Sequence, residues 1–379
     1  MATTSDYLNK LIEQKNTLAD NLVEKGVDAT HDETLETLVP KVLDIQSGSG
    51  GSGNGIYPIG TDGKPAGDVV VPEGVTSLYQ HIFANNTNVE SITFSEGFTT
   101  ASDQCFSGCK NLKSVTFPST LTTIGRLSFN GCTSFTDLNF DNATENIVIS
   151  GNVFSGCTAL TSINIPDGMI ISELGQYAFQ NCTSLSDTAV ENVINKSETI
   201  SNYIFYGCAG LVNLNIRTAT EMMFRDCKGL KSTVVQEPYN GEIKNQIFYN
   251  CTSLELCLLP DGATRIGIGV FSNCVALKTV YLPSSITAAT SNSLTSGNNY
   301  YIFYGCTALE DVQLGADWNM DLTVSVSENI TVDSMVAMFN NLKDLTGDTA
   351  KTLTLGEVNL AKLTDEQKAV ALNKNWILA

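Results

Sequence analysis

Phe106-Ser107-Gly108-Cys109 opens a segment, running to Pro118, that the chain writes again and again. Phe129-Asn130-Gly131-Cys132 and Phe154-Ser155-Gly156-Cys157 repeat it, and further copies begin at Phe179, Phe205, Phe224, Phe248, Phe271 and Phe303. An earlier copy at Phe83 has Asn86 in the cysteine position. Successive phenylalanines stand 23, 23, 25, 25, 26, 19, 24, 23 and 32 residues apart. Self-similarity at such a period signals stacked supersecondary units rather than one folded-back core.

Three residues after each cysteine comes Leu112, Phe135, Leu160 or an equivalent, and then many copies alternate, as in Val115-Thr116-Phe117-Pro118 and Val280-Tyr281-Leu282-Pro283. Period-two alternation predicts a strand with one buried face, and a proline, lacking the N–H, marks its end. A second short apolar set, Leu121, Ile124 and Leu127, leads into the next phenylalanine. One unit cannot bury its apolar edge alone, whereas stacked units bury Phe106, Leu112, Val115 and Phe117 against their counterparts. The reading is a repeat solenoid, β-rich, with short turns and helical segments.

The pattern F-x-[GN]-C-x-x-L-x-x-[VIL]-x-[FIL]-P resembles the BspA-like class of leucine-rich repeats over about residues 69–316, and nine of ten copies keep both Phe and Cys. Three features depart from it: Asn86 for cysteine, Asp226 in the Gly/Asn slot, and the short unit between Phe205 and Phe224. The strand pattern also blurs from Leu185 to Ile194. Members of that family are surface adhesins and interaction proteins, so the resemblance implies binding rather than catalysis.

The ends read differently. Leu8, Leu11, Lys15, Leu18 and Leu22 follow 3-4 spacing, a short heptad seam with a polar residue at one core position. Residues 1–46 are therefore read as a helical oligomerisation or attachment segment, the alternative being a hairpin packed on its own solenoid. A trimer is the expected homo-oligomer. The Gly/Ser stretch 47–55 reads as a flexible linker, residues 56–325 as the solenoid, and 326–379 as an α/β capping module. The segment Tyr7–Ala29 followed by Glu33–Ile45 is similar to the N-termini of phage and prophage tail or baseplate proteins. That resemblance implies docking on a tail or baseplate component through residues 1–46 and a place on the virion tail. A bacterial cell-surface location is the alternative. No secretory-signal pattern opens the sequence, so release by another route is expected, and no apolar run is long enough for membrane insertion.

Composition excludes several function classes. Forty acidic against 21 basic residues give a net charge of −19, which repels nucleic acid and anionic headgroups. His31 and His81 are the two histidines, too few for a histidine metal site, and neither cofactor nor catalytic residue is expected. Nine of the 11 cysteines share one repeat position, leaving Cys105 and Cys257 as extras. They read as a reduced column of small buried side chains. Asn181-Cys182-Thr183 and Asn250-Cys251-Thr252 match glycosylation sequons but occupy the Gly108 slot, and read as turn residues in left-handed geometry.

Recognition is left to surface. The outward strand positions, including Ser114, Thr116, Asn139, Asn213, Asn215 and Thr279, form a hydroxyl- and amide-rich face suited to a bacterial cell-surface glycan or protein. Tyr281 and Gln313 are candidate contacts there. Pro283 to Phe303 spans twenty residues where Pro118 to Phe129 spans eleven. The inserted stretch, with Asn298, Asn299, Tyr300 and Tyr301, has the composition of a binding loop or of a tolerated insertion. A further column after the repeat phenylalanine, at Tyr206, Tyr249 and Tyr304, either covers the turns or touches a partner.

Overall fold

A computed structural model describes residues 65–144, 146–290 and 301–379, with Leu294, Thr295 and eight positions between Lys15 and Thr34. The seam of residues 1–46, apart from those positions, the linker 47–55, and Asn298, Asn299 and Tyr300 lie outside the described residues. The chain divides into two compact units, Met1–Glu173 and Leu174–Ala379.

In the first unit the alternating segments form the strands Gly67–Val71, Val89–Phe94 and Ser114–Thr116, paired in parallel in that order. Asp137–Asn139 and Ser162–Asn164 pair likewise. Registers such as Val69↔Ile92 and Ile92↔Val115 put one coil's inward residue on the next. The second apolar set makes a second parallel row, with Ala101↔Ile124 and Ile124↔Ile149.

The Phe-x-x-Cys segment joins these rows, and its backbone accounts for every donor. N–H groups at alternate positions reach the next coil: Gln104 donates to Arg126 O, Phe106 to Ser128 O and Gly108 to Asn130 O, at 2.9, 2.8 and 2.7 Å. The intervening ones close tight turns inside the coil, Ser107 donating to Gln104 O and Cys109 to Phe106 O. Such a path needs left-handed backbone at two places per coil. Residues two before the phenylalanine, among them Gln104, Leu127 and Tyr177, have φ of 57–58°, and Gly108, Asn181, Asp226 and Asn250 take it two after. Asparagine and aspartate tolerate this geometry better than other side-chain-bearing residues, which explains the sequon asparagines and the Asp226 departure.

Each cysteine then does more than fill space. Cys109 Sγ donates to Phe83 O at 3.0 Å, Cys132 to Phe106 O and Cys157 to Phe129 O, both at 3.2 Å. A phenylalanine carbonyl thus accepts from its own coil's cysteine N–H and from the next coil's thiol. Both lone pairs of a buried carbonyl are used. In the first copy Asn86 takes this position, its Nδ2 donating to Pro65 O at 3.0 Å. The small, buried column expected from the sequence is present, and these thiols have, in addition, a defined acceptor.

The unit Leu174–Ala379 repeats the scheme. Cys208, Cys227, Cys251, Cys274 and Cys306 donate to the carbonyls of Phe179, Phe205, Phe224, Phe248 and Phe271 at 3.0–3.2 Å. Phenylalanine rings stack coil on coil at 5.7 to 6.1 Å from Phe179 to Phe303. Five strands, Asn213–Ile216, Ser232–Val235, Leu256–Leu258, Thr279–Leu282 and Asp311–Leu314, form one parallel sheet in sequence order. Three short strands, Glu242–Ile243, Arg265–Ile266 and Ala288–Ala289, form a second row. The coil from Phe205 to Phe224 is short because it has no strand in that row.

Where the strand pattern blurs, the chain makes helix α1, Asp187–Asn195, instead of a strand. Three more helices lie toward the C-terminus: α2 (Val332–Asn341), α3 (Glu357–Leu360) and α4 (Asp365–Leu372). Leu322–Thr323, Lys351–Thr354 and Trp376–Leu378 pair in parallel beside them. Lys374 Nζ donates to the carbonyls of Phe339, Asn340 and Leu342 at 3.1, 2.8 and 2.8 Å. A cation there satisfies the last carbonyls of α2 and complements its dipole.

All eleven cysteines are free and buried. Burial pushes the thiols of Cys157 and Cys208 up to about 12 and also raises those of Cys227 and Cys257 well above the ordinary thiol value. An unfolded thiol loses its proton above about pH 8.5 while a folded one keeps it, so stability falls with rising pH, by about 1.4 kcal/mol per unit for each such thiol. The thermal midpoint should hold steady to about pH 8 and drop steeply from about pH 9, less steeply in Cys157→Ala/Cys208→Ala. A midpoint that ignores this range, or a variant with an unchanged slope, would show that the thiols are not held protonated.

Candidate functional site

Helix α1 begins at Ser186, whose side chain accepts from Ala189 N, a favoured N-cap arrangement. Ala189, Val190, Val193 and Ile194 are its buried side. Standing where a strand would lie, it leaves the strand Asn213–Ile216 with no preceding partner, and two carboxylates supply one. Asp187 accepts from Val212 N and Asn213 N at 2.8 and 2.9 Å, and Glu191 from Asn215 N at 2.7 Å. The spacing fits because four helical residues rise about 6 Å and two strand residues about 6.6 Å. Arg217 Nη2 in turn donates to Ile194 O and Ser197 O, at 3.3 and 3.0 Å, at the helix C-terminus.

The far edge of the same sheet is closed by α2. Val312 N donates to Ser334 Oγ at 2.9 Å, and Asn341 Nδ2 to Leu314 O at 2.9 Å. Five strands therefore present a face about 19 Å wide between two helices. A helix is about 10 Å across.

Register sets what that face carries. Asn215, Val234, Leu258, Tyr281 and Gln313 are successive cross-strand neighbours in one outward row. Asn213, Ser232, Leu256, Thr279 and Asp311 make the next. Tyr281 and Gln313 are brought together as neighbours, and the half-exposed aliphatic side chains Val234, Leu256 and Leu258 continue from Tyr281. Sequence reasoning missed these three. The signal was present in Leu256-Cys257-Leu258, where alternation fails and apolar residues occupy the outward phase.

Polar groups around the stripe are fixed in place. Ser232 Oγ donates to Asn213 Oδ1 at 2.7 Å, Gln236 Nε2 to Asn215 Oδ1 at 2.9 Å, and Gln313 Nε2 to Asp311 Oδ2 at 2.7 Å. Tyr281 OH donates to Asp261 Oδ1 at 2.8 Å. Burial first, and then Asp261, raises the tyrosine pKa above its ordinary value, so the hydroxyl stays a donor. The result is an apolar strip with pre-set polar neighbours, suited to holding a partner.

Other candidate residues fall elsewhere. Tyr301 is 8% exposed, its carbonyl accepting from Ser272 Oγ at 3.0 Å. That places it in the core rather than on a contact loop, edge-on to the Tyr304 ring at 6.2 Å, whereas Tyr177 and Tyr203 at the same repeat position stay half-exposed. In the first unit the strand face, apart from the exposed Val70, is polar and self-bonded, with Ser91 Oγ on Asp68 Oδ1 at 2.5 Å and Ser162 on Asp137. The bonds from Ser162 and Thr136 hold the Asp137 carboxyl below its usual value, the opposite of what a general acid needs. Among the described residues no group of three or more His, Cys, Asp or Glu is placed to hold a metal ion.

A family model described as a BspA type leucine rich repeat region matches residues 64–186, 144–251 and 173–309, in six copies. No curated protein matches the chain. Similar solved structures include a leucine-rich repeat protein of T. pallidum, 18% identical over 58% of this chain and 86% of that one, with a TM-score of 0.33. Another, from Bacteroides ovatus, is 17% identical over 82% and 92%, with a TM-score of 0.32. A leucine rich cell surface protein of Faecalibacterium prausnitzii is 19% identical over 69% and 94%, with a TM-score of 0.28. At those scores they carry nothing about this chain's ligand.

The edge cap generates a prediction. Asp187→Ala with Glu191→Ala strips partners from three strand N–H groups and should cost about 1–3 kcal/mol in urea unfolding. An uncovered edge also invites pairing between chains, so size-exclusion profiles should become concentration-dependent. Wild-type stability and profile would show that the carboxylates do not hold the edge.

Proposed function

We propose that this chain, which belongs to the BspA-type leucine-rich repeat family, is a binding protein without catalytic chemistry that holds a bacterial cell-surface protein or glycan against its five-stranded sheet. The observation that carries this is the outward row Val234–Leu258–Tyr281, an apolar strip with fixed polar neighbours between two helices. Half-exposed apolar side chains in the centre of a face, with a polar surround, are what a protein-binding or sugar-binding patch requires. Tyr281 and Gln313 are its proposed contacts, and the loop carrying Asn298, Asn299 and Tyr300 is a further proposed one.

The setting we assign is a phage or prophage tail, with residues 1–46 docking on a tail or baseplate component and setting the oligomer. The support is the resemblance of that segment to tail-protein N-termini. A cellular surface adhesin is the second reading, favoured by the family itself, whose members act at cell surfaces. Mass spectrometry of tail particles purified from lysates, beside wall fractions of intact cells, separates the two: peptides in the tails support the first, and peptides confined to the wall support the second.

The binding reading is tested by flow cytometry of labelled full-length protein on candidate host cells. Leu258→Asp, which puts a charge into the strip, should weaken binding at least tenfold, on the order of 1.4 kcal/mol or more, with an unchanged circular dichroism spectrum. Tyr281→Phe should lose less, because it keeps the ring. Wild-type binding by Leu258→Asp would move the site off this sheet.

A further inference from the structure

On the phenylalanine turns from Phe179 to Phe248, the columns two before and one after the repeat ring are half-exposed, apart from the buried Gln246. Tyr177 and Tyr203 occupy the first column and stack at 4.6 Å between centroids with 23° between planes. Tyr206, Arg225, Tyr249 and Tyr304 belong to the second. The Arg225 guanidinium carbon lies 4.3 Å from the Tyr249 centroid and 6.0 Å from that of Tyr206. Arg225 Nη1 donates to Gln246 Oε1 at 2.5 Å, and Nε stands 3.5 Å from Asp226 Oδ2. From Tyr177 to Tyr249 the rings and the guanidinium therefore make a band across four consecutive coils, half-exposed along its length.

The fold does not demand this band. In the first unit the same turn positions hold Gln104, Leu127 and Asn152 in one column and Ser107, Asn130 and Ser155 in the other, and those turns close with the same hydrogen bonds. Tyrosine at these sites is thus an addition to a scaffold that is complete without it.

We propose that this band, on Tyr177, Tyr203, Tyr206, Arg225 and Tyr249, is a second binding surface, separate from the sheet, and that it takes a neutral glycan. Its chemistry selects that class. Tyrosine offers an apolar ring with a polar tip, and the half-exposed amides of Gln180 and Asn250 stand beside the rings. Met222 is the one aliphatic side chain in the two columns of this unit, with no Val, Leu or Ile, so the aliphatic surface that anchors a protein partner is small. The Arg225 charge is compensated by Asp226 beside it, and a chain of net charge −19 repels polyanions. Uncharged sugars, whose C–H faces lie on rings and whose hydroxyls meet amides, are what remains.

The test is affinity gel electrophoresis of the full-length protein in gels containing soluble neutral polysaccharides (dextran, mannan, galactomannan, amylopectin), with polygalacturonate as the anionic comparison. Retardation by at least one neutral polymer and none by polygalacturonate is the expected result. Tyr203→Ala/Tyr249→Ala should lower that affinity at least tenfold, whereas Tyr203→Phe/Tyr249→Phe should keep most of it. Leu258→Asp on the sheet should keep it fully, so failure here and failure of the sheet reading are distinguishable. No retardation by any neutral polymer would overturn the proposal. So would unchanged affinity in the double alanine variant, or retardation by polygalacturonate abolished by Arg225→Gln.

Discussion

The repeat coils of this protein are tied together through one buried carbonyl, that of the repeat phenylalanine. It accepts the N–H of its own coil's cysteine and the thiol of the next coil's, as Phe205 O does from Cys227. A single group is thereby tied within a coil and between coils. Leaving such a carbonyl half-satisfied in a dry interior costs free energy that a small apolar side chain could not recover. Thiol, ring stack and left-handed turn are parts of one device, and the strands are positioned by it.

The sheet that this device builds is also where the repeat is broken to effect. Helices replace strands at the two edges of the five-stranded face, and the missing ladder partners are supplied by Asp187, Glu191, Ser334 and Asn341. Edges that would otherwise recruit other chains are covered, and the face between them is bounded. The apolar row at its centre sits in the part of the chain where outward positions stop being polar. Specific surface here is produced by departures from the repeat, on a frame fixed by adherence to it.

The architecture was legible in the sequence because the frame is periodic: Phe, Cys and alternating Val-x-Phe announce turn, core and strand. The same periodicity hid the exceptions. Leu185 to Ile194 lacked alternation, but only tertiary placement shows a helix whose carboxylates match strand N–H spacing. Tyr281 and Gln313 are recognisable in the sequence as outward positions, whereas Val234 and Leu258 are not, because an apolar residue in a repeat reads as core until register shows which way it points. Tyr301 differs in the other direction: its tyrosine-rich neighbourhood suggests surface, yet its side chain is buried, unlike Tyr177 and Tyr203 at the same repeat position. The cysteines were read as small and buried, and their acceptor could not be seen, because it belongs to the preceding coil.

The thiol–carbonyl ladder can be observed directly by Raman spectroscopy of the S–H stretch in native full-length protein. The ladder predicts a band shifted to lower frequency than in the unfolded chain, carrying the intensity of most of the cysteines and exchanging slowly in deuterated water. A band at the position of weakly bonded thiols with fast exchange, or loss of S–H intensity to disulfide, would contradict it.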